Sequence, residues 1–253
     1  MKFENTEVWG FEHAIRGMRN PMNSWDKSDS KYCKDCTLEN IYLCPELEMN
    51  YRCYGYGFNP DRYVIGTHDL ELMQKLIKAG SEHRKFLRQI FVSVDITAPL
   101  YYFKELDTYK VGTVANSTST MHKLASTPIT SDCFENDDFN KDLIIEQNTG
   151  WECPQDFKAN NLALTIINKL EILRQKYLET KDKRYWKELV RWLPESWLQT
   201  RTVTMNYENL LTMYRQRKNH KLNEWSGIDN PELPNFVGWV KTLPYANELI
   251  LVE

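Results

Sequence analysis

Ile90-Phe91-Val92-Ser93-Val94-Asp95-Ile96-Thr97, followed by Ala98-Pro99, decides how the chain is read. In an extended chain Ile90, Val92, Val94 and Ile96 share one face, and Ser93, Asp95 and Thr97 share the other. That period of two marks a half-buried strand. Ala98-Pro99 then opens a helix, because proline is tolerated in the first turn, where its missing N–H costs no bond. Upstream, Thr67 offers an N-cap and Asp69 an acidic first turn, while Leu70, Met73, Leu76 and Ile77 form an apolar helical stripe. Gly80 closes that helix as a C-cap.

Outward from this block the pattern is mostly helical. A long helix is predicted near Asn161 to Glu179, with Ile166, Ile167, Leu170, Leu173 and Tyr177 on one face. A second spans about Lys183 to Leu193 and stops at Pro194. Thr200 to Thr204 reads as a short β segment, and Asn206 caps a helix carrying Leu210, Leu211 and Tyr214. A final helix is expected between Pro234 and Lys241. Residues 1 to about 62 show no clear period and read as loops and short strands. Residues 112 to 122 are a polar stretch, and 126 to 158 read as loop. Helices and strands alternate irregularly, which favours a single α+β domain over 1–253 with a Cys-containing insertion around 30–55. Its expected architecture is a central, mostly antiparallel sheet flanked by helices.

The bulk numbers narrow the function. The chain carries 32 basic and 35 acidic residues, a formal net charge of -3. A near-balance argues against a broad nucleic-acid surface, whose affinity comes from neutralised phosphates, but leaves room for a pocket that holds one phosphate. There is no run of about 18 apolar residues to span a membrane. The polar start Met1-Lys2-Phe3-Glu4-Asn5 lacks a signal-peptide apolar core, so a cytoplasmic protein is expected. Cys33-Lys34-Asp35-Cys36, with Cys44 and Cys53, places four thiols in a short stretch. Two readings stay open: a zinc or iron–sulfur site at Cys33, Cys36, Cys44 and Cys53, or four unligated thiols, since the second pair lacks the Cys-x-x-Cys spacing.

The segment from His83 to Lys110 resembles the middle of the flavin-dependent thymidylate synthases. The resemblance rests on His83, Leu87-Arg88-Gln89-Ile90, the alternating strand, Ala98-Pro99 and Thr108-Tyr109-Lys110, which fall at that family's spacings without a gap. After one extra residue come Thr113 and Asn116-Ser117-Thr118-Ser119-Thr120-Met121-His122, where the family has its Ser signature. A second block follows in the right order: Leu193-Pro194, Thr200, Asn206, Arg217, then His220 and Glu224. The departures are specific. Thr108-Tyr109-Lys110 stands where the family has Arg-His-Arg, Ser117 and Met121 stand at its signature Glu and Arg, and Glu105 stands at a helix Gln.

The resemblance implies FAD as cofactor and a pyrimidine nucleotide as ligand. The implied activity is one-carbon transfer or reduction on a pyrimidine deoxynucleotide, thymidylate synthase-like (dUMP to dTMP or a variant), a methyltransferase reaction with a reduced folate as one-carbon donor. The alternative is a catalytically decayed nucleotide-binding or sensing protein on the same fold. The family's assembly implies a homotetramer. By position, Thr108, Tyr109, Lys110, Asn206, His220 and His83 are the implied flavin contacts. Glu105, Asn116, Ser117, Ser119 and Arg217 are the implied nucleotide contacts, with Arg217 also the catalytic cation. Read as residues alone, each has a plain alternative. Residues 112 to 122 are either an anion-binding nest or a solvated Ser/Thr loop. Lys110 either meets a phosphate or ends a helix in solvent. Glu105 either bonds a base edge, pairs with Lys110 or Arg88, or faces water. Arg215, Arg217 and Lys218 form either a site edge or a solvated basic run.

Overall fold

The strand at residues 91 to 99 is buried on one face as its alternation requires: Val92, Val94 and Ile96 are sealed from solvent, and Ser93, Asp95 and Thr97 are half-exposed. The computed structural model describes residues 1–32, 63–147 and 155–252. In chain order the described strands are β1 (Lys2–Trp9), β2 (Lys31–Tyr32), β3 (Tyr63–Val64), β4 (Phe91–Pro99), β5 (Val114–Ser117), β6 (Ile144–Glu146), β7 (Phe157–Lys158) and β8 (Leu198–Asn206). A central antiparallel sheet takes the order β1-β4-β8-β5 and is flanked by helices, an α+β architecture. β2 with β3, and β6 with β7, form two small antiparallel pairs.

The described chain divides into two compact units. One comprises Phe3–Asp95, Tyr109–Ala115 and Val203–Glu253, less the residues not described; the other comprises Met1–Lys2, Ile96–Thr108 and Asn116–Thr202. In the first, the helix Phe11–Arg19 places Phe11, Ala14, Ile15 and Met18 inward, at the i, i+3, i+4, i+7 spacing of one helix face. In the same unit the helix Thr67–Lys78 buries Leu70, Met73 and Ile77, and the helix Tyr207–Arg217 buries Leu210, Leu211 and Met213. Phe11 meets Tyr207 and Tyr245 edge-on, with ring centroids 5.7 and 5.6 Å apart. The Tyr207 hydroxyl donates to the Pro244 carbonyl at 2.6 Å.

One buried ion pair ties this unit together. Arg19 Nε donates to Asp69 Oδ1 at 2.6 Å, and both side chains are buried. The Ser28 and Ser30 hydroxyls donate to Asp69 Oδ2 at 2.7 and 2.6 Å, with the Ser30 N–H at 3.1 Å. Burial opposes ionisation of Asp69, but the bonds from Ser30, Ser28 and Arg19 outweigh it and hold the carboxyl below its ordinary 3.8.

The other unit is built on the helix Ala159–Thr180 packed against Lys183–Arg191. Leu124, Ile129, Phe134, Leu170 and Leu189 form its buried cluster, with Ile166, Ile167, Leu173 and Trp197 half-buried around it. Glu171 is the polar anchor. It takes both Arg174 Nε and Nη2 at 2.7 Å and the Ile129 N–H at 2.8 Å. Arg174, outweighing burial, drives the Glu171 carboxyl from 4.5 down to about 2.

Several expectations are corrected. Where loops and short strands were expected, the stretch before residue 33 holds an eight-residue strand and a nine-residue helix. Thr67 is the first helical residue and Gly66 the cap. The first-turn N–H groups of that helix, at His68 and Asp69, are bonded by the remote Asp29 carboxylate at 2.9 and 3.1 Å. The 112–122 stretch contains β5 and a short helix, Thr120–Lys123, and the 126–158 region contains β6 and β7. The helix at Phe236–Lys241 is followed by another, Ala246–Leu249. The Cys33, Cys36, Cys44 and Cys53 site lies outside the described residues. Among the described residues no helix is long and apolar enough to cross a membrane.

Asp69→Ala strands Arg19 as an unpaired buried cation, so we expect a loss of about 3–5 kcal/mol, read as a lower urea midpoint. A parent-like midpoint would contradict this. Asp69 and Glu171 both titrate lower folded than unfolded. Their contribution is therefore full above the unfolded values and lost as pH falls through the folded ones. For Glu171 the window runs from 4.5 to about 2 and is worth on the order of 3 kcal/mol. Glu171→Gln should flatten the acid limb of the stability curve there; an unchanged limb would show that the Arg174 pair contributes nothing. Gly10 has φ +96°, and a Cβ there would collide with the Gln89 carbonyl oxygen. Gly10→Ala should cost more than about 1 kcal/mol, measured by thermal melting.

Candidate functional site

The helix Tyr207–Arg217 begins with a reciprocal cap. Asn206 Oδ1 accepts from the Asn209 N–H at 3.0 Å, and Asn209 Oδ1 accepts from the Asn206 N–H at 3.3 Å. These bonds satisfy donors that the first helical turn leaves open. The same pair also braces a loop. Asn209 Nδ2 donates to the Val111 carbonyl at 2.7 Å. Gly112, at φ +76°, lies so close that a Cβ would stand 2.8 Å from Asn206 Nδ2. Glycine is the residue that takes this left-handed backbone without strain. Arg84 adds a second tie, its Nε 3.1 and 2.9 Å from the two oxygens of Glu208.

Arg217 ends this helix, and it is not part of a solvated run. Its Nε donates to Tyr109 Oη at 2.9 Å. Its guanidinium carbon lies 5.5 Å from the Tyr109 ring centroid and 5.1 Å from that of Trp225. The Tyr109 hydroxyl in turn donates to Gln216 Oε1 at 2.8 Å. A cation over aromatic faces gains from the negative face of each ring. The helix C-terminus, where carbonyl dipoles end, favours the same charge. Arg215, two residues earlier, is exposed and reaches the Val252 carbonyl at 3.3 and 3.4 Å. Next to Trp225, at 6.4 Å between centroids, is His220, whose Nδ1 accepts from the Leu222 N–H at 3.1 Å. With Nδ1 an acceptor, the ring proton belongs on Nε2.

The structure therefore brings Tyr109, Asn206, Arg217 and His220 into one unit as a connected group, through Asn209, Gln216 and Trp225. Lys110 and His83 belong to that unit and are exposed. Thr108, Glu105, Asn116, Ser117 and Ser119 belong to the other. Thr108 Oγ1 donates to the Glu105 carbonyl at 2.7 Å, closing the helix Leu100–Leu106. Glu105 is half-buried rather than solvent-facing. Asn116 and Ser117 are exposed on β5, and Ser119 Oγ caps the helix Thr120–Lys123 by accepting from the His122 N–H at 3.1 Å. A cavity of about 750 Å³ opens in that second unit beneath Phe134, Phe139, Leu162 and Ile166, and none of the predicted residues lines it.

Sequence reasoning missed Trp225, Gln216 and Asn209. Asn209 had a signal, because Asn at the cap and again three positions on is a capping-box pattern. Trp225 and Gln216 act through tertiary contacts that leave no periodic trace.

No family model matches the sequence, and no curated protein matches it. Solved structures do match in fold. The flavin-dependent thymidylate synthase ThyX from Helicobacter pylori, complexed with FAD and dUMP, is 13% identical over 98% of this chain and 98% of its own, with a TM-score of 0.59. A second structure of that protein with FAD and dUMP gives 14% identity over 99% and 97%, and again 0.59. The UMP/dUMP methylase PolB from Streptomyces cacaoi, bound with 5-Br dUMP, is 12% identical over 74% of this chain and 81% of its own, at a TM-score of 0.46. The likeness to the first two, over nearly the whole of each chain, shows that this chain has the fold of the flavin-dependent thymidylate synthases.

Proposed function

We propose that this chain is a flavin-dependent enzyme that carries out one-carbon transfer or reduction on a pyrimidine deoxynucleotide, of the dUMP to dTMP type. The observation that carries the reading is Arg217: a permanent cation, held by a hydrogen bond and two aromatic faces, at the position expected for the nucleotide. The presence of FAD and dUMP in the structures of like fold supports it.

The loop after residue 108 bears on the fit to FAD. It offers one exposed cation, Lys110, on a backbone that Asn209 braces at Val111. That suits a single phosphate contact by a point charge, without the planar forks of an arginine pair. FAD, when bound, supplies the hydride chemistry. Lys110 would hold a flavin phosphate. Asn206 acts by placing the loop, since its side chain is already engaged in the cap. Arg217 orients the base and stabilises negative charge that develops on a ring carbonyl oxygen, the task for which a fixed guanidinium is suited.

The exchange of Arg-His-Arg for Thr108-Tyr109-Lys110 favours a second reading, a protein that binds the nucleotide without turning it over. Incubation with FAD, a reductant, a methylene-bearing reduced folate and dUMP separates the two. Product in chromatography supports the enzyme; dUMP binding without product supports the sensor.

Thr108-Tyr109-Lys110 should bind flavin about ten- to hundredfold more weakly per lost contact than a site with Arg-His-Arg, because a charge-assisted bond is worth about 1.5–3 kcal/mol. Titration of FAD into the purified protein checks this, and absence of binding at millimolar FAD would end the flavin reading. Arg217→Lys should weaken dUMP binding about tenfold or more, since an ammonium reproduces neither the Nε bond nor the fork. Arg215→Ala is the control. If Arg217→Lys, Arg215→Ala and the parent bind dUMP alike by calorimetry, Arg217 is not the nucleotide contact.

A further inference from the structure

We propose that Tyr109 is a positioning residue for Arg217 rather than a contact of the flavin. This rests on the reading of Arg217 as the nucleotide cation and deepens it.

A phenol hydroxyl has one proton to donate and lone pairs to accept with. Here the proton goes to Gln216 Oε1 at 2.8 Å, and an Arg217 Nε–H comes in at 2.9 Å. Gln216 and Arg217 are consecutive on one helix, so their side chains leave it about 100° apart. A single oxygen that joins both therefore fixes the torsions of each. The ring repeats the constraint, because the guanidinium carbon stands 5.5 Å from its centroid with Trp225 at 5.1 Å as a second aromatic face. Tyr109 is held in turn. Two residues on, the Val111 carbonyl is tied to Asn209 in the first turn of the same helix. The loop thus runs beside the helix, anchored at its first turn and clasping its last residue.

The consequence is pre-ordering. A free arginine side chain carries about 2 kcal/mol of rotamer entropy, which a ligand must remove if it is the first to order the chain. In this protein the ordering precedes the ligand. Nε engagement also bars the side-on pairing that uses Nε together with a terminal nitrogen. A histidine at this position, the residue that the family's Arg-His-Arg places there, has neither the length nor the hydroxyl of a tyrosine.

The test uses full-length protein and the Arg217 Nε–Hε signal in nitrogen-15 NMR, assigned by its loss in Arg217→Lys. Tyr109→Phe keeps the ring and removes the hydroxyl. We expect Hε exchange with water to rise at least tenfold, dUMP affinity to fall about tenfold, and FAD affinity to stay within twofold. Gln216→Ala should raise Hε exchange by a smaller factor. An unchanged Hε exchange rate in Tyr109→Phe overturns the proposal. So does a fall in FAD affinity with dUMP affinity unchanged, which would make Tyr109 a flavin contact. If the parent binds neither dUMP nor FAD, the functional reading of Arg217 fails, and the exchange rate alone decides whether Tyr109 orders it.

Discussion

The reciprocal cap between Asn206 and Asn209 sets the register of everything around the candidate site. A helix start is defined by which N–H groups find acceptors, and here both side chains are committed to that task. Because the same Asn209 also holds the Val111 carbonyl, the helix start and the 109–112 loop share one anchor. From there the helix is a ruler of about 1.5 Å per residue, and Arg217 stands eleven positions along it. A change that shifted the cap by one residue would turn Arg217 by about 100° about the helix axis and away from Tyr109 and Trp225. The buried Leu210, Leu211 and Met213, and the Arg84–Glu208 pair, resist that shift.

How much of this was legible follows from where each element stands in the sheet. The strand from Phe91 to Pro99 is interior, with one face sealed, so its side chains must alternate and the alternation is visible. Lys2–Trp9 and Val114–Ser117 are the two edges of the same sheet. Their residues are mostly exposed, and β5 is exposed along its whole length. Backbone pairing suffices to hold them, so no side-chain pattern is demanded and none was read. The helix Phe11–Arg19 failed for a different reason. It begins at a left-handed Gly10 without a side-chain cap, and its apolar stripe covers only two turns. The Thr67 cap was misplaced because the acceptor that completes it, Asp29, comes from another part of the chain.

At the site, the legible parts were those bound to one helix: Asn206 as cap and Arg217 as the residue that the family spacing singles out. Composition alone reads Arg215, Arg217 and Lys218 as a basic face, and Arg215 does lie on the surface. What distinguishes Arg217 is tertiary. Tyr109 arrives from a loop and Trp225 from the short helix Asn223–Ser226, and neither approach is encoded in a local period. Lys110 and His83 kept their places in the family order and are exposed, so the likeness in spacing locates their backbone without describing what their side chains meet.

Thr108-Tyr109-Lys110, where the resemblance places Arg-His-Arg, therefore differs from it by more than charge. A histidine at position 109, where the resemblance places one, would bring neither the length nor the hydroxyl that meets Arg217 Nε here. The phenol at that place supplies both: its oxygen accepts the Nε–H and its ring faces the cation. Tyr109 is bound to the last turn of the helix at Gln216 and Arg217, and Val111, two residues on, is bound to its first turn at Asn209.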